Sequence, residues 1–118
     1  MKTTPFLDYV IEILSKYVRI KASAMFGGYG LYSDGLIFAI VAYDELYFKA
    51  DKDSKIFYES FGSESFKYDG KGKLISMSYY KAIPEIFEDE EMMQKWMDTA
   101  LASAKTASSK NHNTKSDI

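Results

Sequence analysis

The stretch from Met25 to Ala50, MFGGYGLYSDGLIFAIVAYDELYFKA, decides the fold of this chain. Runs of aromatic and aliphatic residues are separated there by two short polar interruptions, Ser33-Asp34-Gly35 and Asp44-Glu45. Such runs are typical of neighbouring antiparallel strands. Asp34-Gly35 is the stronger turn signal, because a tight hairpin needs positive φ and glycine adopts it without steric cost. The stretch therefore predicts a three-stranded meander, whose middle strand, Leu36 to Val41, is covered on both faces.

Three glycines in four residues, Gly27-Gly28-Tyr29-Gly30, are unusual within a strand. Glycine costs a strand about 0.5–1 kcal/mol relative to alanine, so this density predicts a bend or the close approach of another backbone. Contact with a ligand or partner is the alternative explanation. A phosphate-binding loop would open a helix and carry a lysine, whereas this segment lacks the lysine and leads into a hairpin.

Helical patterns flank the predicted strands. Thr4-Pro5 is typical of a helix start, since the hydroxyl can cap the first turn and proline lacks only an N–H without a partner there. The following apolar residues have helical spacing and predict a face packed on the sheet: Phe6, Tyr9, Val10, Ile13, Leu14 and Tyr17. A short helix is predicted from Asp51 to Phe61 with Gly62 as its C-cap, and the last helix has Trp96 on its apolar face.

A second hairpin is predicted after the short helix. Its strands are Phe66 to Tyr68 and Leu74 to Tyr80, joined by the turn Asp69-Gly70-Lys71-Gly72. Apolar and polar residues alternate in the longer strand, which is the pattern of a sheet with one covered face. We expect the set that contains Tyr79 to face the helices. Tyr80 should then lie on the open face, together with Tyr29 or Tyr32, depending on the register of the meander.

The elements follow one another in the order α-β-β-β-α-β-β-α. The predicted fold class is α+β, a two-layer domain in which three helices pack on one face of a single antiparallel sheet of five strands. We assign residues 1–105 to this domain. Residues 106–118 are rich in Ser, Lys and Asn and lose the helical period, which predicts a disordered polar tail.

Composition excludes several kinds of chemistry. The 118 residues include no cysteine, so disulfides, cysteine nucleophiles and thiolate metal sites cannot form. The single histidine, His112, lies in the predicted tail, which leaves the domain without a serine triad or a histidine metal site. The acidic cluster between Glu85 and Glu91 is explained better as a helix start than as a calcium loop. We therefore predict that the protein is not an enzyme and uses no metal or cofactor.

The charge balance bears on the partners. The net charge is −2, and Arg19 is the one arginine beside fourteen lysines. Proteins that bind nucleic acid unaided usually carry a basic excess, so direct DNA binding is not expected. Two local basic patches occur at turns: Lys16, Arg19 and Lys21, and Lys67, Lys71 and Lys73. No leader is apparent and no apolar segment approaches about 18 residues, which predicts a cytoplasmic protein without a membrane partner.

The central stretch resembles the TfoX (Sxy) N-terminal domain family of bacterial proteins, whose larger members regulate natural competence. The resemblance extends from about Phe6 to Lys105. It is carried by Met25 to Tyr32, Asp34-Gly35, the strand around Phe38, Leu46 to Lys49, Phe66, Tyr68, the glycine–lysine turn, Met77 to Tyr80, and Pro84-Glu85. It implies the same order of elements and a regulatory role. The helical C-terminal domain of the full-length regulators has no counterpart in this sequence.

Two functional hypotheses of different classes follow. The first, which the resemblance favours, is a regulatory or adaptor domain that binds proteins, either a transcription regulator or a second copy of the chain. The second is a module that binds a small ligand or nucleic acid through the strand from Gly27 to Tyr32. A pocket lined by tyrosines from several strands would favour the second. The candidate contact residues are Gly28, Tyr29, Gly30, Tyr32 and Tyr80.

Overall fold

The computed structural model describes residues 4–25, 28–70 and 73–116, without the side chains of residues 68–77 and 109–116. The described helices are α1 (Pro5–Leu14), α2 (Lys55–Glu59) and α3 (Glu90–Ser116), with a 3₁₀ turn at Pro84–Phe87 before α3. The described strands are β1 (Lys21–Met25), β2 (Gly28–Ser33), β3 (Leu36–Ala42), β4 (Glu45–Lys49), β5 (Ser65–Gly70) and β6 (Lys73–Lys81). Over this part of the chain, no helix is long and apolar enough to cross a membrane.

The strands form one sheet in the order β1-β2-β3-β4-β6-β5, and every neighbouring pair is antiparallel. The α+β class and the single antiparallel sheet are thus confirmed. The prediction of five strands was wrong, because β1 precedes the expected meander. Its sequence, KASAM, has small and polar side chains and none of the β-branched residues that favour strands. Only its pairing with β2 makes it a strand.

The helices cover one face of the sheet, as predicted. The Thr4 hydroxyl accepts a hydrogen bond from the Leu7 N–H at 3.1 Å and caps α1. The buried residues of α1 are Leu7, Val10 and Leu14, whereas Tyr9 is exposed, so the packed face is rotated slightly from the predicted stripe. The buried residues of this main core come from all the helices and from the sheet: Leu7, Val10, Leu14, Leu31, Phe38, Ala39, Val41, Leu46, Phe48, Ala50, Tyr58, Tyr80, Ala82, Ile86, Met93, Trp96, Met97, Ala100 and Ala104.

The opposite face, called the open face below, carries a second, smaller cluster. Its buried residues are Ile40, Ala42, Phe66 and Tyr79, and Met25, Ile37 and Tyr47 pack against them. The prediction that β3 is covered on both faces is therefore confirmed. A β-bulge lets β3 contribute side chains to both faces of the sheet. Leu31 pairs with Ala39 and Tyr32 with Ile37, which leaves Phe38 as the extra residue. Phe38 and Ala39 consequently both belong to the main core.

The two faces of β6 were assigned the wrong way round. Tyr80 belongs to the main core beneath the helices, and Tyr79 lies in the cluster on the open face. An alternating pattern separates two sets of side chains but does not say which set meets the helices. Tyr80 is held on the helix side by Tyr58 of α2, whose ring stacks on it at a centroid distance of 5.6 Å.

The short helix and the chain end also differ from expectation. Asp51 Oδ1 accepts hydrogen bonds from the Asp53 and Ser54 N–H groups, and this turn delays the start of α2 to Lys55. The helix also ends earlier than predicted: its C-cap is Ser60 rather than Gly62, and Gly62, with φ +82°, lies in the turn that follows. The backbone of α3 is helical to Ser116, where a disordered tail was expected, because extending a helix whose first half is anchored costs less than starting a new one. The division of the chain at residue 105 stays a prediction.

The turns bear out the hairpin reading in the meander. Asp34 and Gly35 have φ of 52 and 80, the conformation of a two-residue primed turn. The next turn lies one residue earlier than the polar pair suggested, with positive φ at Tyr43 and Asp44. The turn predicted at Asp69 to Gly72 lies partly outside the described residues. The interpretation of the acidic cluster as a helix start is confirmed, since Asp89 Oδ1 accepts from the N–H groups of Glu91 and Met92.

Candidate functional site

The strand β2 holds four of the five candidate contact residues, and its glycines serve two different purposes. A Cβ at Gly28 would collide with the carbonyl oxygen of Val41 on β3. Gly28 is therefore required by a close backbone approach, and its φ is not positive. A Cβ at Gly30 would lie 2.7 Å from Met25 Sδ and 2.9 Å from Ile37 Cδ1, which are the ends of flexible side chains. Gly30 thus leaves room on the open face for the side chains of Met25 and Ile37, and no backbone contact requires a glycine there.

The candidate tyrosines do not meet in one pocket. Tyr29 packs against the main core on the helix side, where Tyr80 also lies. Tyr32 lies on the other side of the sheet, because it pairs with Ile37 of the open-face cluster. The arrangement that would have favoured a tyrosine-lined ligand pocket is therefore absent among these three residues. Of the predicted set, Gly30 and Tyr32 share the open face.

Tyr80 has a structural environment. Only 8% of its surface is exposed, and its hydroxyl donates a hydrogen bond of 2.7 Å to Glu59 Oε2. This bond, together with burial and the negative charge of Glu59, raises the pKa of Tyr80 to about 12. Its ring stacks on Tyr58, whose own hydroxyl donates to the Lys49 carbonyl oxygen at 2.9 Å. Burial also raises the pKa of Tyr58. Both tyrosines join α2 to the sheet.

The open face carries a lysine among tyrosines. Lys49 Nζ lies 4.8 Å from the ring centroid of Tyr79, a cation–π contact. Desolvation lowers the pKa of Lys49, and Asp51 opposes the shift. Burial raises the pKa of Tyr79 to about 12, with a smaller contribution from Tyr32. The rings of Tyr47 and Phe66 also pack edge-on in this cluster, with their centroids 4.7 Å apart. The result is a largely filled face rather than an enclosed cavity.

A concave site of about 650 Å³ lies where β1 begins. Its cationic side chains are Arg19 and Lys21, and Tyr32 forms part of its wall. Among the residues that the structure describes, its lining is Arg19, Ile20, Lys21, Ala22, Ser23, Tyr32, Asp34 and Gly35. It is larger than two other concavities, of about 310 Å³ beside Phe87 and about 170 Å³ beside Leu101. Of the candidate residues, Tyr32 alone lines it.

Two basic patches were singled out from the sequence. The patch around Arg19 is the one that the structure places in the concave site, although Lys16 is not part of the lining. Lys71 of the other patch lies outside the described residues. Among the residues that are described, three or more His, Cys, Asp or Glu side chains do not come together in a group that could hold a metal ion.

Sequence reasoning missed the part that β1 plays in this site. The helix-to-strand connection around Arg19 was noted for its charge, yet β1 itself has no strand signal. One signal could have revealed β1. The glycine-rich strand β2 has few side chains of its own to cover it and needs a neighbour on each side, and the segment directly before it in the sequence can supply one. β2 is indeed paired on both sides, with β1 and with β3.

Fold and site together define a class: a small α+β domain with helices on one sheet face, a smaller apolar cluster on the open face and a cationic concavity at one sheet edge. The family model of the TfoX N-terminal domain matches residues 12–104, and the chain belongs to this family. The chain is similar to the DNA transformation protein TfoX1 of Aliivibrio fischeri (strain ATCC 700601 / ES114), with 29% identity over 77 residues. The match covers 65% of this chain but 36% of that relative, so the chain spans little more than a third of its length.

Proposed function

We propose that this chain is a regulatory or adaptor domain of the bacterial cytoplasm, without catalytic activity, which acts through protein–protein contacts in the control of DNA uptake. Membership of the TfoX N-terminal domain family supports the link to DNA uptake, because a relative carries the name DNA transformation protein. The partner that fits a regulatory role is a transcription regulator.

The observation that carries the proposal is an apolar surface on and beside α2. Ile56 is 66% exposed and Phe61 is 38% exposed, and the half-buried Phe57 ring lies 5.3 Å from that of Phe61. Single exposed apolar residues are common, but two large ones within six residues give this short segment an unusual amount of exposed apolar surface. Aromatic side chains contribute strongly to protein interfaces because they bury a large area at small entropic cost.

Affinity capture tests this proposal. The tagged chain, in wild-type form and as the double variant Ile56→Ser/Phe61→Ser, is used as bait in lysate of the source bacterium. Lys52→Ser/Lys55→Ser is the matched control, because both lysines are exposed on the same segment. We expect the wild type and the control to retain the same protein at stoichiometric amounts and the double variant to lose it. A wild-type bait that retains no protein above the untagged background would contradict the proposed function.

Self-association is a further form of contact that we propose. Light scattering after gel filtration at tens of micromolar should then give twice the 13.5 kDa mass of one chain. A single species of 13.5 kDa over that range would show that the domain acts as a monomer. The Ile56→Ser/Phe61→Ser variant tells whether the α2 surface is the contact, since it should then elute as a monomer.

A second candidate function is the binding of a small ligand or nucleic acid beside β2. The concave site of about 650 Å³ at Tyr32 favours it, because ligand pockets usually measure about 300–1,000 Å³. Titration with a labelled single-stranded oligonucleotide and with duplex DNA, for the wild type and Tyr32→Ala, tests it. At a net charge of −2 we expect no specific duplex binding at physiological salt. Submicromolar binding that depends on Tyr32 would favour this candidate over a protein-binding domain.

A further inference from the structure

We propose that β1 is a docking edge, which accepts an extended acidic segment of a partner protein as an added strand of the sheet. The inference rests on the proposed function in that the partner is a protein, and it names the chemistry of that partner. It adds a second contact with that partner, on a different surface from the apolar residues of α2.

The first step is the position of β1 in the sheet. It stands first in the strand order, and within the described residues β2 is its one strand partner. In an antiparallel pair, every second residue of the outer strand turns its N–H and C=O groups away from its neighbour. These groups are the template on which an extended peptide adds a strand.

The second step is access to that template. The side chains of Ala22, Ser23 and Ala24 are small, and Ser23 and Ala24 are exposed. An added strand would lie about 4.7–4.9 Å from β1. Neither of two features that commonly block such pairing, a proline or a β-bulge, occurs in β1. The concave site of about 650 Å³ is lined by five consecutive residues, 19 to 23. The site therefore lies beside the backbone that would pair with an added strand.

The third step is charge. Arg19 and Lys21 are two residues apart, the spacing that puts side chains on one side of an extended chain. In the described part of the chain, neither forms an ion pair. Of the described residues that line the site, their neighbour Asp34 is the one carboxylate. Two cations with one nearby anion attract carboxylates, and arginine binds them in a two-pronged geometry.

The side chains of this segment also specify an alternating pattern in the partner. Lys21 and Ser23 are on the open face, since they pair with Tyr32 and Gly30. Ile20 and Ala22 are half-buried against the main core. A partner strand should therefore place acidic residues beside Arg19 and Lys21 and apolar residues beside Ile20 and Ala22. Its recognition element is an alternation of acidic and apolar residues.

Two other occupants fit less well. A lysine on an edge strand is a feature by which proteins discourage pairing with a second copy of themselves. A polyanion such as single-stranded DNA would be attracted to Arg19 and Lys21 but repelled by the chain as a whole, whose net charge is −2. An acidic peptide carries its few charges only where the cations lie.

A fluorescein-labelled peptide, Thr-Val-Glu-Val-Glu-Val-Thr, is the probe, and fluorescence anisotropy with the full chain is the measurement. Two versions of it are N-methylated at alternate residues, one on each edge of the extended peptide. If the peptide adds as a strand, one version should lose binding by at least about tenfold and the other should bind like the parent, because only one edge of the added strand donates to β1. Equal binding of both versions would overturn strand addition.

Charge reversal tests the cationic pair. Arg19→Glu/Lys21→Glu should weaken binding by about tenfold or more, because two attractive contacts become repulsive. A peptide with lysine in place of glutamate should restore binding to this variant. Lys67→Glu/Lys95→Glu changes the net charge equally at exposed positions of β5 and α3, and it should bind like the wild type. Equal weakening in both double variants, or no rescue, would contradict the assignment.

The remaining outcomes also decide the matter. No binding at millimolar peptide, tighter binding of oligodeoxythymidylate than of the peptide, or a dimer that Arg19→Glu/Lys21→Glu dissociates would each overturn the proposal. The proposed function is separable from it. If the captured protein is retained equally by the wild type and by Arg19→Glu/Lys21→Glu, the docking edge is wrong while the protein-binding function stands. If the wild type captures nothing, the function itself fails.

Discussion

The two faces of the sheet differ in what they have to do. On the helix side, residues from α1, α2 and α3 and from the sheet share one continuous core around Trp96. On the open face, a small cluster around Tyr79 and Phe66 leaves Lys49 and Tyr32 half-exposed at its border. Most of the buried apolar surface, and with it most of the stability, therefore lies on the helix side of the sheet. The other side and its β1 edge can therefore vary their chemistry at small cost to folding.

Neighbouring residues of β4 give the largest expected contrast. Phe48 is fully buried, with its ring centroid 5.6 Å from that of Trp96, whereas Tyr47 is half-buried on the open face. Phe48→Ala should lower the free energy of unfolding by about 3–5 kcal/mol and Tyr47→Ala by about 1–2 kcal/mol. Urea unfolding followed by fluorescence of the single tryptophan measures both. Equal losses would mean that the two faces contribute alike.

The glycines of β2 test the same difference at the backbone. Gly28→Ala should cost about 1–3 kcal/mol, since the added methyl meets the Val41 carbonyl oxygen and the backbone has to move. Gly30→Ala should cost less than about 1 kcal/mol, because Met25 and Ile37 can shift their side-chain ends on the open face. Thermal unfolding of the two variants decides; a larger loss for Gly30→Ala would reverse the assignment.

The adjacent tyrosines of β6 give a pH-dependent contrast. The pKa of Tyr80 is about 12 in the fold against an ordinary value of 10.0, so the folded state holds the phenol proton more tightly. Its contribution to stability is fully present below pH 10 and is lost as the pH rises towards 12. Tyr80→Phe should lower the free energy of unfolding by about 0.5–1.5 kcal/mol at neutral pH. The variant should also lose less stability than the wild type as the pH rises from 10 to 12.

Tyr79→Phe is the matched control for that experiment. The pKa of Tyr79 is also about 12, but burial causes the shift, and within the described residues its hydroxyl has no hydrogen bond. The control should therefore also lose less stability than the wild type at alkaline pH. At neutral pH it should change the free energy of unfolding by less than Tyr80→Phe does. Guanidinium titrations at neutral pH and in steps between pH 10 and 12 distinguish the two variants. Identical losses at neutral pH would rule out a role for the Glu59 hydrogen bond.

The smallest effect is expected from the exposed ion pair at the rim of the open face. Lys81 Nζ lies 3.4 Å from Glu45 Oε1, and both side chains are more than 40% exposed. Such pairs contribute about 0–1 kcal/mol and are screened by salt. Glu45→Gln should therefore change the free energy of unfolding by less than about 0.5 kcal/mol, measured at low and high salt. A loss above 1 kcal/mol that persists in high salt would show that this rim is part of the stable core.

Much of the fold could be predicted because its signals are local. The positive φ of Gly35 follows from the Asp34-Gly35 pair, and the Thr4 cap follows from the hydroxyl–proline pair. The candidate site was predicted less well. Tyr32 was placed on the open face as one of two alternatives, whereas Tyr80 was placed on the wrong side and β1 was not seen. For Tyr80 the deciding contact comes from a distant part of the chain, Glu59 of α2. For β1 it comes from the neighbouring strand β2, and the side chains of β1 itself give no strand signal.

The sequence by itself determined which residues turn, cap and alternate, because these depend on backbone preferences and side-chain spacing within a few residues. It also determined the chemistry that is ruled out, since a chain without cysteine cannot form thiolate sites. The tertiary structure alone decided which tyrosine of β6 meets the helices and where β3 bulges. It also decided that β1 forms the cationic edge of the sheet. The physical reason is that alternation has two equivalent solutions along a strand. Only packing against segments far away in the sequence makes one of them lower in free energy.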